Sequence, residues 1–101
     1  MSYPKPSTLL ARALRLFGSR GQRWCKGSYQ RKPCKKYPKG AFCSVGAVAH
    51  INTPREKQAK GYLQGASNYN VVCFNDHPKT KFSDIKHMFA TAIALAKKEG
   101  N

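Results

Sequence analysis

The run from Phe82 to Ala96 constrains this chain more than any other stretch. Phe82, Ile85, Met88, Phe89, Ala92, Ile93 and Ala96 recur at three- and four-residue intervals. That period lines one face of an α-helix over four turns. Lys97 and Lys98 suit the negative end of a helix dipole, and Gly100 suits its stop. The pattern predicts a helix over residues 81–98, capped by Thr80 or Ser83. An apolar face of that length must be covered, and 101 residues leave room for one modest core. Every other element is therefore read by how it covers this helix.

Leu9, Leu10, Ala13, Leu14 and Phe17 repeat the same period, with Arg12 and Arg15 mainly on the other face. With Ser7 as N-cap and Gly18 as stop, they predict a helix over 8–17. Residues 18–41 then carry Gly18, Gly21, Gly27, Pro33, Pro38 and Gly40, and predict a long loop. "FCSVGAVAHI" predicts a short buried helix over 42–51, whose Gly46 and Ala47 allow close backbone approach. Thr53, Pro54 and Glu56 form a helix start with a capping box, so a surface helix follows over 54–64. "VVCF" at 71–74 predicts a short strand between two turns. The fold class is mainly α with three to four helices, or α+β with one short strand or hairpin. It is a single domain with a long basic loop, its core built largely by Leu10, Leu14, Phe17, Ile85, Phe89 and Ile93.

Charge decides the class of partner. Nineteen Lys and Arg against four Asp and Glu give +15, a surface that attracts polyanions. Arg20, Arg23, Lys26, Arg31, Lys32, Lys35, Lys36 and Lys39 crowd into the loop, with Trp24, Tyr29 and Tyr37 interleaved. Cations neutralise phosphates, and aromatic faces stack on unpaired bases. The pattern predicts a non-enzymatic binding protein gripping RNA or single-stranded nucleic acid through this loop. The alternative partner is an acidic surface of a host protein, met by an inhibitor or adaptor. No stretch approaches the apolar length of a membrane span, and the N-terminus is not a secretory signal. A cytoplasmic location and reduced thiols are expected.

The four cysteines raise two further chemistries. Cys73 and His77 have the spacing of a zinc ligand pair, and Cys25 and Cys43 are the remaining candidates for a small zinc-stabilised domain. Their wide separation instead suits small buried hydrophobes, leaving no cofactor expected. Cys34, among lysines, is expected to be exposed and reactive. A catalytic reading would take Cys43 as nucleophile, His50 or His77 as base and Asp76 as orienter. Against it, Asn75 and Asp76 fit a turn or cap.

Three short elements occur in order: "WCKG" at Trp24 to Gly27, "CSVGA" at Cys43 to Ala47, and "FND" at Phe74 to Asp76. Together they resemble a family of small uncharacterised proteins of actinobacteria and bacteriophages. Those read Trp-Cys-x-Gly, Cys-x-x-Gly-Ala and aromatic-Asn-Asp. The resemblance implies a mostly helical domain of phage type and assigns no reaction. The basic insert at residues 28–40 departs from the pattern.

Overall fold

A computed structural model describes residues 4–51, 54–67 and 70–101. The helices pack around one shared apolar core, to which the long C-terminal helix contributes its buried face. In chain order the elements are α1 (Pro6–Leu16), β1 (Gln30–Arg31), β2 (Ala41–Phe42), α2 (Ser44–Ile51), α3 (Glu56–Ser67), α4 (Val71–Asp76) and α5 (Phe82–Lys98). Helix α5 packs against α1 on one side and α3 on the other, while α2 lies across α1 and α3. The radius of gyration is 12.8 Å, close to the roughly 13 Å of a 100-residue domain.

The core follows the apolar periodicity. Leu10, Phe17, Ile85 and Phe89 are fully buried, as expected. Leu14 and Ile93 only pack against the core edge, and Leu9, Ala13 and Leu63 fill the interior beside them. Phe17 meets Phe89 and Phe82 edge-on at centroid distances of 5.6 and 5.8 Å, the arrangement that aromatic quadrupoles favour. Burying each such side chain contributes about 1.5–3 kcal/mol.

Element starts differ from expectation for identifiable reasons. Helix α1 begins at Pro6, with Lys5 as N-cap, because proline supplies helical φ and needs no N–H bond there. Ser7 is thus inside the helix, and its Oγ donates to the Asn101 carbonyl at 3.0 Å. Neither Thr80 nor Ser83 caps α5. Lys81 is its N-cap, and its N–H donates to Asp84 Oδ2 at 2.8 Å. The Thr80 hydroxyl instead donates to the Phe74 carbonyl at 2.7 Å, fastening α4 to the turn before α5. The expected cap at Thr53 lies outside the described residues. Helix α3 starts at Glu56 and runs to Ser67, past the expected end at 64. Its Glu56 pairs with Lys60 one turn on at 2.7 Å, a partly exposed pair worth about 0.3–0.5 kcal/mol.

The expected strand at 71–74 is a helix. Asn70 decides this: its Oδ1 accepts from the N–H groups of Val72 and Cys73 at 2.9 and 3.1 Å, an N-cap geometry. Gln64 Oε1 takes the Val71 N–H as well, so the first turn is fully supplied from side chains. The two-stranded ladder lies elsewhere, largely inside the stretch expected to be loop. There β1 and β2 pair antiparallel, Gln30 opposite Phe42 and Arg31 opposite Ala41. Phe42 therefore belongs to β2, and α2 starts two residues later than expected.

Candidate functional site

The basic segment between α1 and α2 is a lobe closed at its base. Strand β2 is held on both edges there. One edge pairs with β1, and the Cys43 N–H also donates to the Tyr29 carbonyl at 3.1 Å. The other edge forms a parallel bridge with Trp24. Phe42 N–H donates to Arg23 O at 2.8 Å, and Cys25 N–H donates to Phe42 O at 3.0 Å.

In a parallel ladder the next rung would run from Ser44 N–H to Cys25 O. The side-chain amide of Asn75 is spliced into that rung. Ser44 N–H donates to Asn75 Oδ1 at 3.0 Å, and Asn75 Nδ2 donates to Cys25 O at 3.0 Å. The same Oδ1 accepts from Ser44 Oγ at 2.7 Å and from Trp24 Nε1 at 2.8 Å. The second Nδ2 proton goes to Asp76 Oδ1 at 2.9 Å, which also accepts the Gly27 N–H at 2.9 Å. Asn75 is fully buried and every polar atom of its side chain is used. One amide thus joins the Trp-Cys-x-Gly, Cys-x-x-Gly-Ala and Phe-Asn-Asp elements into a single knot. A sequence reading of Asn75 and Asp76 as a local turn misses this, because the partners lie 31 to 51 positions away.

Gly46 seals the other side of the neck. A Cβ there would lie 1.7 Å from the Tyr29 carbonyl oxygen, so the first turn of α2 sits directly on the lobe backbone. This is the close approach that Gly46 and Ala47 were expected to permit. Gly40, at φ +81°, takes a left-handed conformation to turn the chain into β2.

The expected cationic residues divide into two groups. Arg23 and Lys26 are braces. Arg23 Nη2 donates to Lys39 O at 2.9 Å with its guanidinium 5.2 Å over the Phe42 ring. Lys26 Nζ donates to His77 O at 2.6 Å and lies 5.5 Å over the Trp24 ring. Arg31 is exposed but partly occupied, its Nη2 donating to Lys26 O at 3.1 Å. Arg20, Lys32, Lys35, Lys36 and Lys39 are exposed, and among the described residues no acceptor takes their charged heads. Lys36 lies 5.6 Å over the Tyr37 ring. Tyr29 is 63% exposed, and Tyr37 is half-buried.

Two open grooves meet at Lys36. One, about 520 Å³, is lined by Trp24, Lys26, Arg31, Cys34, Lys36 and Tyr37. The other, about 530 Å³, is lined by Arg15, Leu16, Gly18, Gln22, Arg23, Lys36, Pro38 and Lys39. No acidic residue lines either groove. The sequence accounts for this: residues 1–55 carry twelve Lys and Arg and no Asp or Glu, whereas 56–101 carry seven against four.

The cysteines separate by environment. Cys25 and Cys43 are buried; Cys34 and Cys73 are exposed. Cys34 is thus where it was expected, but Cys73 faces outward on α4 instead of filling the core. Burial pushes the Cys25 and Cys43 thiols above their ordinary range. Among the described residues no three His, Cys, Asp or Glu side chains converge, so Cys25, Cys43, Cys73 and His77 are not gathered into one ligand set. The Cys43 thiol accepts from Gly46 N–H at 3.3 Å, His77 Nδ1 accepts from Lys79 N–H at 3.1 Å, and the His50 ring packs 4.7 Å from Phe42. No hydrogen bond links Cys43 to His50 or His77. Cys43 and Asp76 do share the wall of a pocket of about 210 Å³.

A sequence profile defined as a family of unknown function, DUF6197, matches residues 1–95. The chain belongs to that family. No curated protein and no solved structure matches this member. No helix among its described residues is long and apolar enough to cross a membrane.

Proposed function

We propose that this DUF6197 protein is a non-enzymatic binder of single-stranded nucleic acid, RNA foremost, and that the basic lobe is its contact surface. The observation that carries the reading is the division of labour among the lobe's cations. Two are used to brace the neck, while Arg20, Lys32, Lys35, Lys36 and Lys39 stay exposed on the lobe, with Lys36 and Lys39 lining the two acid-free grooves. Phosphates exchange their counterions for such groups, which gives affinity without sequence preference.

The aromatic residues supply what a bare charged patch lacks. Trp24 is a rigid wall: its Nε1 is tied to Asn75, and its ring packs 6.0 Å from Phe82. Tyr37 stands in the same groove and Tyr29 is open on the lobe surface. Each base stacked on such a face gains about 1–3 kcal/mol, and only unpaired bases offer that face. A strand passing from one groove to the other would cross Lys36, which lines both.

The test is titration with a fluorescently labelled single-stranded RNA, read by anisotropy across a salt series. The expected result is binding that weakens steeply with salt, and its loss in the R31E/K32E/K35E/K36E variant with the melting temperature unchanged. Equal binding by that variant would remove the lobe from the interaction. Copurification of a defined acidic protein that survives nuclease, with no RNA binding, would replace the nucleic-acid reading with the host-protein one.

A further inference from the structure

The neck of the lobe holds two thiols that the binding surface does not use. Cys25 and Cys43 each follow one residue after the Trp24–Phe42 parallel bridge, so they are the next pair in register. Strands so bridged lie about 4.7–4.9 Å apart, and residues paired in register present their side chains to the same face. A disulfide needs Cα atoms roughly 4.4–6.8 Å apart. The Asn75 amide takes the place of the ladder bond from Ser44 N–H to Cys25 O that would close this pair, so the strands begin to part here, and the disulfide window is wider than the ladder spacing. Both thiols are free and nearly inaccessible, at 2% and 3% exposure.

We infer that Cys25 and Cys43 are a redox pair that closes into a disulfide across the neck, with a low-molecular-weight disulfide of the glutathione type as oxidant. Cys43 reacts first, since it lines the pocket beside Asp76 and Gly27. Its thiol gives up a proton, and the thiolate attacks one sulfur of the small disulfide. A mixed disulfide forms, and the first small thiolate leaves and takes up a proton. Cys25 then loses its proton and attacks Cys43 Sγ, expelling the second small thiolate, which is protonated in turn. Two protein thiols are oxidised, and one small disulfide is reduced to two thiols.

The raised thiol pKa values, caused first by burial, keep both groups protonated at rest and make the exchange slow. Once closed, the bond encloses Lys26 through Phe42 in a covalent ring. The lobe is then held by a second fastening, independent of the Asn75 knot. The inference concerns the neck alone and does not depend on what the lobe binds.

The test uses the full chain with C34S and C73S, both exposed positions, so that Cys25 and Cys43 are the remaining thiols. After equilibration with glutathione disulfide, intact mass and a non-reducing peptide map are recorded beside a thermal melt. The expected product has lost two hydrogen atoms, yields a Cys25–Cys43 linked peptide, and melts higher by about 15 °C, as closing a loop of this length implies. Dithiothreitol reverses all three changes. Two thiols that remain alkylatable, a product that stops at the mixed disulfide, or a linked product that melts lower would each overturn the inference.

Discussion

Replacing Asn75 by Ala tests whether the neck is held as described. Five hydrogen bonds leave with the side chain. They do not count equally. The Trp24 indole is half-buried and regains water, and the Ser44 hydroxyl and the Asp76 carboxylate can find other partners. The Ser44 N–H and the Cys25 carbonyl belong to buried residues and have no alternative partner nearby. Leaving two such backbone groups unsatisfied costs about 1–3 kcal/mol each, so the expected loss is about 4 kcal/mol. That is a large share of the roughly 5–15 kcal/mol of a domain this size. It corresponds to a melting temperature lower by about 20 °C. Urea unfolding followed by the fluorescence of Trp24, the sole tryptophan, and by far-UV circular dichroism measures it directly. N75L is the companion variant, since it keeps the volume and removes the polar atoms; it should lose a similar amount. A loss below about 1 kcal/mol in both variants would mean that water replaces the amide, and the knot would be no more than a convenience of packing.

Two further outcomes follow from the neck. G46A should destabilise the protein by several kcal/mol (about 3 or more), because the new methyl meets the Tyr29 carbonyl, which is backbone and cannot rotate aside; thermal melts decide this, and a shift of only a degree or two would contradict the contact. Stability should fall with alkalinity. The Cys25 and Cys43 pKa values are raised in the fold above the ordinary 9.0, so the folded state holds protons that the unfolded chain releases. Their contribution is intact below that value and is lost as pH rises through the folded pKa values; chemical denaturation in a pH series should show the decline, reduced in C25S and C43S.

How much of this was legible in the chain depends on the range of the forces involved. Helices α1 and α5 were readable because burial imposes a repeated spacing on many residues at once. The exposed lobe was readable from its glycines, prolines and charges. Helix α4 was not, since four apolar residues fit a strand or a helix equally, and the outcome rests on Asn70 and Gln64 supplying its first turn. Strands of two residues have no period to detect, so β1 and β2 could not be seen. Charge counting also treated all the lobe cations alike, whereas Arg23 and Lys26 find carbonyl partners far along the chain. Asn75 shows the limit most clearly: its type is common in turns, and nothing local distinguishes a hub from a cap.

The knot also bears on the order of assembly. Its bonds to Trp24, Cys25 and Ser44 span 31 to 51 positions, so each of these requires a long stretch of chain to be closed before it contributes anything. Contacts of that span reward the chain late. The helices can condense on α5 first, with the lobe seating last against α4. Weakening the knot should therefore hasten escape from the native state and leave the rate of reaching it almost untouched.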